Sequence, residues 1–203
     1  MPGSWSSYSA LEQRFLPAGR RLVAWLLAPL VGALARRRVS PDAVSAAQIG
    51  VGALTALTAR RRPRLTLGLA GLAVLLDGLD GSLARATGRA SRRGAWLDQL
   101  CDHARELTVV TVLARAAGLP YRWPVLYAVL YPASNAALAA ASYSGRPVPV
   151  AVKPALSLYP AWVWFLWRGE RRWLGPCFAL THLLLAATIV QAWWCLARGR
   201  RSR

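Results

Sequence analysis

Six apolar stretches of about the length needed to cross a bilayer dominate this chain, and arginine clusters separate them. They cover residues 43–59, 65–86, 95–118, 123–142, 148–167 and 173–197. A spanning helix needs roughly 20 mostly apolar residues at a rise of about 1.5 Å each. The chain is 55% hydrophobic, yet carries 26 Lys and Arg against 8 Asp and Glu, a net charge of +18. A basic nucleic-acid binder is expected to show one basic face with exposed aromatics. Here the arginines fall between the apolar runs, at 36–38, 60–64, 92–93, 171–172 and in the basic tail from 198. That layout reads as loops between membrane spans and excludes nucleic acid as a partner.

The expected fold is therefore an all-α integral membrane protein with six transmembrane helices and an N-terminal interfacial helix ahead of them. The interfacial helix is placed at Leu22–Ala35, which is apolar but short, contains Pro29, and is flanked by Arg20, Arg21 and Arg36–Arg38. Residues 1–42 form the tail and interfacial helix, and 43–203 the six-helix domain. The N-terminus lacks the basic-then-apolar order of a cleaved signal, so it is expected in the mature chain. With cytoplasmic termini, about twice as many Lys and Arg fall in inner as in outer segments, although the RRRPR turn at 60–64 opposes this. The protein is expected in the cell membrane as a multi-pass chain. Cys101, Cys177 and Cys195 have no metal or redox spacing and read as small apolar filler.

The uncharged run LTLGLAGLAVLL (65–76) leads straight into Asp77 and Asp80. Asp98, Asp102 and Glu106 follow inside the next apolar window. A carboxylate in hydrocarbon costs about 2.5–3.5 kcal/mol even on the mild insertion scale. Clustered carboxylates add mutual repulsion. Hard divalent cations remove both penalties. Asp77 and Asp80 stand i, i+3 on one face, and Asp98 and Asp102 stand i, i+4 on one face. The short link at 87–94 predicts antiparallel neighbours whose carboxylates meet at similar depth. Arg105, seven residues after Asp98, looks toward the same space. The plainer reading is a set of structural salt bridges to Arg85, Arg92 and Arg105. Gly78, Gly81, Ser82 and Ala84 leave the helix nearly bare around its acids. Such a face suits close helix packing, or close approach of a polyphosphate to the backbone, and beside the aspartates the ligand is preferred.

The stretch Asp77-x2-Asp80-Gly81-x2-Ala84-Arg85-x8-Gly94-x3-Asp98-x3-Asp102 resembles the signature of the CDP-alcohol phosphotransferases at every fixed position and spacing. The resemblance extends to the six-span layout and the preceding interfacial helix. It implies transfer of a phospho-alcohol from a CDP-linked donor to an acceptor hydroxyl, with release of CMP. It also implies two divalent ions, Mg²⁺ or Mn²⁺, held by Asp77, Asp80, Asp98 and Asp102, which would neutralise charge on the departing CMP. Asp102 would in addition be the base for the acceptor's proton. Gly81, Ala84, Arg85 and Gly94 would line the CDP site, with Arg85 gripping phosphate oxygens through its planar fork. A lipid donor such as CDP-diacylglycerol would keep its tails in the membrane and present its head from the cytoplasmic side. Membrane lipids are then natural partners, and a homodimer is compatible with the family's habit.

The acceptor is less constrained. A phosphorylated polyol such as glycerol 3-phosphate or inositol phosphate needs cations beside the metals, and Arg105, Arg146 and Lys153 are the candidates, with Arg92 and Arg93 behind them. Arg146 and Lys153 also read as loop charges drawn to anionic lipid, each worth about 1 kcal/mol. Relatives that use glycerol phosphate usually follow the fourth aspartate with lysine, and users of inositol phosphate with arginine. This chain has His103 instead, either a partner of Asp102 or a packing residue. Glu106 could balance Arg105 or assist the metals, and His182 reads as a helix-interface histidine. Ser40 or Asp42 caps the first span beside Pro41. Alternatives are a transferase moving a soluble CDP-aminoalcohol's group to a lipid, a non-catalytic nucleotide-binding relative, and an ion carrier. A carrier is expected to spread acids through several spans, whereas here they are confined to two.

Overall fold

The computed structural model describes residues 8–89 and 92–198, the side chains of Arg20, Arg92, Arg93 and residues 95–98 excepted. Eight helices follow one another: α1 (Ala10–Arg36), α2 (Pro41–Thr58), α3 (Pro63–Ala86), α4 (Arg92–Ala116), α5 (Arg122–Tyr143), α6 (Pro154–Ser157), α7 (Tyr159–Arg168) and α8 (Leu174–Arg198). No strand occurs among the described residues. Helices α1, α3, α5 and α8 are long and apolar enough to cross a membrane. Helices α2 and α4 have the length but are interrupted by polar residues, among them Asp42 and Gln48, and Asp98, Asp102 and Glu106.

Five of the six apolar windows coincide with α2, α3, α4, α5 and α8 to within a few residues. The window at 148–167 differs. Residues 148–153 are not helical, and the helical part is α6 and α7, broken at Leu158 (φ −113°, ψ −40°). Prolines at 147, 149, 154 and 160 explain this, because each lacks an N–H and disfavours helix in the residue before it. The expected interfacial stretch Leu22–Ala35 lies within the 27-residue α1. Ser9 and Glu12 start that helix earlier through a reciprocal cap: Ser9 N–H and Oγ both donate to Glu12 Oε2 at 2.8 Å, and Glu12 N–H donates back to Ser9 Oγ at 3.3 Å.

The chain divides into two compact units, Ala18–Gly118 and the remainder. In the first, Ser40 accepts from Ala43 N–H at 3.2 Å and Pro41 occupies the opening turn of α2. Helix α2 packs on both α3 and α4. Val31, Val44, Leu79 and Leu83 form a core that joins the end of α1 to α2 and α3. At the opposite end of α2, Thr66 Oγ1 donates to Thr58 Oγ1 at 2.9 Å, which ties the α2–α3 turn.

In the second unit, α5 packs on α8. The N–H groups of Ala10 and Leu11 donate to the carbonyls of Val148 (2.8 Å) and Pro149 (3.1 Å). The first turn of α1 thus satisfies carbonyls of the proline-rich segment, each partner supplying what the other's geometry leaves open. Tyr127, Phe178 and Trp162 pack ring against ring, with Trp123 and His182 stacked at 5.7 Å beside them.

Candidate active site

The carboxylates sit in the unit Ala18–Gly118, where α3 and α4 carry them and α2 organises them. Asp80 is only 3% exposed. Its Oδ2 accepts from Ser45 Oγ at 2.7 Å and from Gln48 Nε2 at 2.9 Å, both on α2. A buried carboxylate requires such donors, since an unsatisfied one forfeits its hydration without return. Ser45 and Gln48 stand i, i+3 and present one face of α2 to Asp80.

Asp77, one turn earlier on α3, is more open, with 42% of its side chain exposed. The guanidinium of Arg105, on α4, lies 3.7 Å from Asp77 Oδ1 and 3.1 Å from Asp102 Oδ1. It also donates to Gln48 Oε1 and, at 3.4 Å, to the Ala73 carbonyl. The stem of Arg105 runs over Gly52, where an added Cβ would meet its Cγ at 3.5 Å. Carboxylates from two helices therefore converge on one positive charge, and α2 supports that charge from beneath.

Asp98 belongs to α4 by its backbone, one turn before Asp102; its side chain lies outside the described residues. The donors are all carboxylate oxygens, which suit a hard divalent cation such as Mg²⁺ or Mn²⁺. Two of them already face a shared cationic group. Among the described residues, no three His, Cys, Asp or Glu side chains stand together closely enough to hold an ion. The donor chemistry fits, and the described side chains around Arg105 supply part of the expected set.

Arg85 is exposed and folds back along α3, its Nη2 donating to Ser82 Oγ at 3.3 Å. Gly81 makes room for this, because a Cβ there would stand 3.2 Å from Arg85 Nη1. Gly78 serves another purpose. A Cβ at Gly78 would lie 3.0 Å from Val23 Cγ1 and 3.5 Å from Leu27 Cδ1, so this glycine admits α1 against α3. The bare face expected beside the aspartates is thus shared: packing takes Gly78, and Gly81 lies under Arg85. Ala84 and Gly94 are half-buried.

His103 directs Nδ1 to the Gln99 carbonyl at 2.7 Å, a bond within its own helix. Glu106 is 5% exposed. Arg146 is half-buried after α5, in the turn made by Gly145 at φ 70°. Lys153 Nζ stands 4.3 Å from the Tyr8 ring centroid. Arg146 and Lys153 belong to the other unit from the aspartates. The spacing motif did not point to Gln48, Gly52 or the role of Ser45 toward Asp80. The signal that could have found Gln48 is a lone amide in the apolar stretch after Ser45.

The model of the CDP-alcohol phosphatidyltransferase family matches residues 38–194. The bifunctional IPC transferase and DIPP synthase of Rubrobacter xylanophilus is 42% identical over 81 residues, which is 39% of this chain and 19% of that protein. The CDP-diacylglycerol–serine O-phosphatidyltransferase of Mycobacterium bovis is 34% identical over 95 residues, 46% of this chain and 32% of that protein. The matched part thus spans under a third of either relative. Solved structures of the phosphatidylinositol phosphate synthase of Mycobacterium tuberculosis share the fold at 22% identity. The complex with manganese and citrate superposes at a TM-score of 0.58, covering 83% of this chain and 86% of that one. The structure with CDP-DAG bound superposes at 0.59, covering 87% and 92%. With the family's model matched across both the aspartate helices and the aromatic bundle, the chain belongs to the CDP-alcohol phosphatidyltransferases.

Proposed function

We propose that this protein transfers a phosphatidyl group from a CDP-linked lipid, CDP-diacylglycerol, to an acceptor hydroxyl and releases CMP. The observation that carries the reading is the convergence of Asp77 and Asp102, from different helices, on one cation, with Asp80 preset by α2. In this reading Asp77, Asp80, Asp98 and Asp102 hold two divalent ions, Mg²⁺ or Mn²⁺. Bound there, the ions would polarise the diphosphate and offset charge on the departing CMP.

The chain's own residues do the rest. Arg85, exposed at the end of α3, binds phosphate oxygens of the donor with its planar fork. Gly81, Ala84 and Gly94 leave the backbone accessible to the CDP moiety. Asp102 takes the acceptor's proton, and attack falls on the phosphorus that bears the lipid alcohol, in line with CMP. Arg105 supplies positive charge for a phosphorylated polyol such as glycerol 3-phosphate or inositol phosphate; Arg146 and Lys153 are the other candidates that the sequence offers for that charge. Six spans with an interfacial helix ahead, in the cell membrane with the site facing the cytoplasm, complete the reading. It gives the lipid tails their medium and the headgroup its entry. One of the relatives named above is a serine O-phosphatidyltransferase, so serine joins the acceptors to be tested.

The test is CMP release by the detergent-purified protein with CDP-diacylglycerol and Mn²⁺. The acceptors are glycerol 3-phosphate, inositol 1-phosphate, serine, inositol and phosphatidylglycerol, with Asp102→Asn as control. Release with one acceptor, lost in the control, supports the reading and names the acceptor. Silence with all five, while CDP-choline and diacylglycerol yield CMP, replaces it with aminoalcohol transfer to a lipid.

A further inference from the structure

We infer that Gln48 is a positioning residue for this site: one side-chain amide orients the Asp80 carboxylate and fixes the Arg105 guanidinium beside Asp77 and Asp102. The inference rests on the proposed transfer reaction, and it adds a residue that lies outside the aspartate motif.

Gln48 is 0% exposed, on the helix that packs against both α3 and α4. Its two polar ends are used in opposite senses. Nε2 donates to Asp80 Oδ2 at 2.9 Å, while Oε1 accepts from Arg105 Nη1. The amide has one orientation that serves both partners. Turned over, it would set its NH₂ against a guanidinium and its carbonyl against a carboxylate. The arrangement of Asp80 therefore depends on that of Arg105, and the reverse.

The surroundings favour the same two contacts. Ser45, one turn before Gln48, donates to the same Asp80 oxygen at 2.7 Å. Gly52, one turn after, has only hydrogen where a Cβ would meet Arg105 Cγ at 3.5 Å, so the arginine stem lies flat on α2 beneath the amide. The Ala73 carbonyl on α3 accepts from the same Nη1 at 3.4 Å. Arg105 is thereby directed to the gap between Asp77 and Asp102. Gln48 joins a carboxylate on α3 to a cation on α4 through its two ends. Groups that hydrogen-bond metal-binding carboxylates typically change metal affinity or activity by about 10–100-fold when removed.

The experiment compares the full chain with Gln48→Met, which keeps the volume and loses both bonds, and Gln48→Ala, which keeps the helix and admits water. Free Mn²⁺ is titrated by electron paramagnetic resonance without substrates, and kcat and KM are measured separately for CDP-diacylglycerol and the acceptor. The expected result is monodisperse Gln48→Met protein whose Mn²⁺ dissociation constant rises about tenfold, with kcat lowered and the donor KM within about twofold of wild type. Equal Mn²⁺ affinity and equal kcat in wild type and both variants would overturn the inference. So would loss of the fold in both variants, because the two bonds of Gln48 would then hold the helices together rather than set the site. If wild type itself neither binds Mn²⁺ nor releases CMP, it is the transfer reaction that fails, and the positioning role falls with it.

Discussion

Ser45 Oγ donates to Asp80 Oδ2 at 2.7 Å, across the contact between α2 and α3. The Pro41 carbonyl, 3.3 Å away, is a second and more distant acceptor for the same hydroxyl proton. A hydrogen bond to a charged group is worth about 1.5–3 kcal/mol when the group is buried. Ser45→Ala is expected to weaken Mn²⁺ binding and lower kcat by about tenfold, and Ser45→Thr to restore most of both. Manganese titration and CMP release check this. Equal values for Ser45→Ala and wild type would refute it.

Arg105 is shared by two carboxylates that would otherwise repel one another. Both are partly exposed, so the pair is worth roughly 1 kcal/mol, less than the 3–5 kcal/mol lost when a buried pair is broken. Arg105→Met keeps the stem over Gly52 and removes the charge. In chelator the variant is expected to melt below wild type. Added Mn²⁺ is expected to raise its melting temperature by more than it raises that of wild type, because a bound cation takes over the neutralising role. Melting curves in EDTA and in Mn²⁺ measure the difference. The same shift in both proteins would mean that metal and arginine act on separate groups.

The aspartates were legible because the sequence places charge where hydrocarbon is expected, and because i, i+3 and i, i+4 spacings assign each pair to one face. The contribution of α2 was not legible in the same way. Gln48 meets partners 32 and 57 residues away, and nothing in its neighbours indicates which helix faces it. Within the window at 148–167, residues 148–153 depart from the expected helix for a different reason. An apolar count gives no weight to missing N–H groups, and Pro147, Pro149 and Pro154 withhold three of them. Among the small residues, Gly78 and Gly81 look alike in sequence. They differ because α1 arrives from far along the chain to meet only Gly78.

His182 stacks on Trp123 with ring centroids 5.7 Å apart and planes at 19°, and Phe178 stands equally close. The residue is 6% exposed. The ring packs among aromatics, and its two buried nitrogens have no hydrogen-bond partner among the described residues. His182→Phe preserves a ring there and is expected to leave CMP release and Mn²⁺ affinity unchanged. His182→Ala opens a cavity and is expected to lower stability by about 2–4 kcal/mol. A large fall in activity for the phenylalanine variant, at normal melting temperature, would give the ring a chemical role.

Gly78 offers a direct contest between packing and ligand access on the aspartate-bearing helix. A Cβ at 3.0 Å from Val23 Cγ1 cannot be accepted without movement, and Val23 is a short branched side chain with little freedom to yield. Gly78→Ala is therefore expected to cost about 1–3 kcal/mol through overpacking between α1 and α3. Val23→Ala should remove the obstruction, so the double variant is expected to be more stable than the sum of the two single changes predicts. CDP affinity, measured in parallel, should follow wild type in the double variant, because Gly81 rather than Gly78 lies beneath Arg85. Loss of CDP binding in a stable double variant would return Gly78 to the ligand and move the boundary of the nucleotide site one turn along α3.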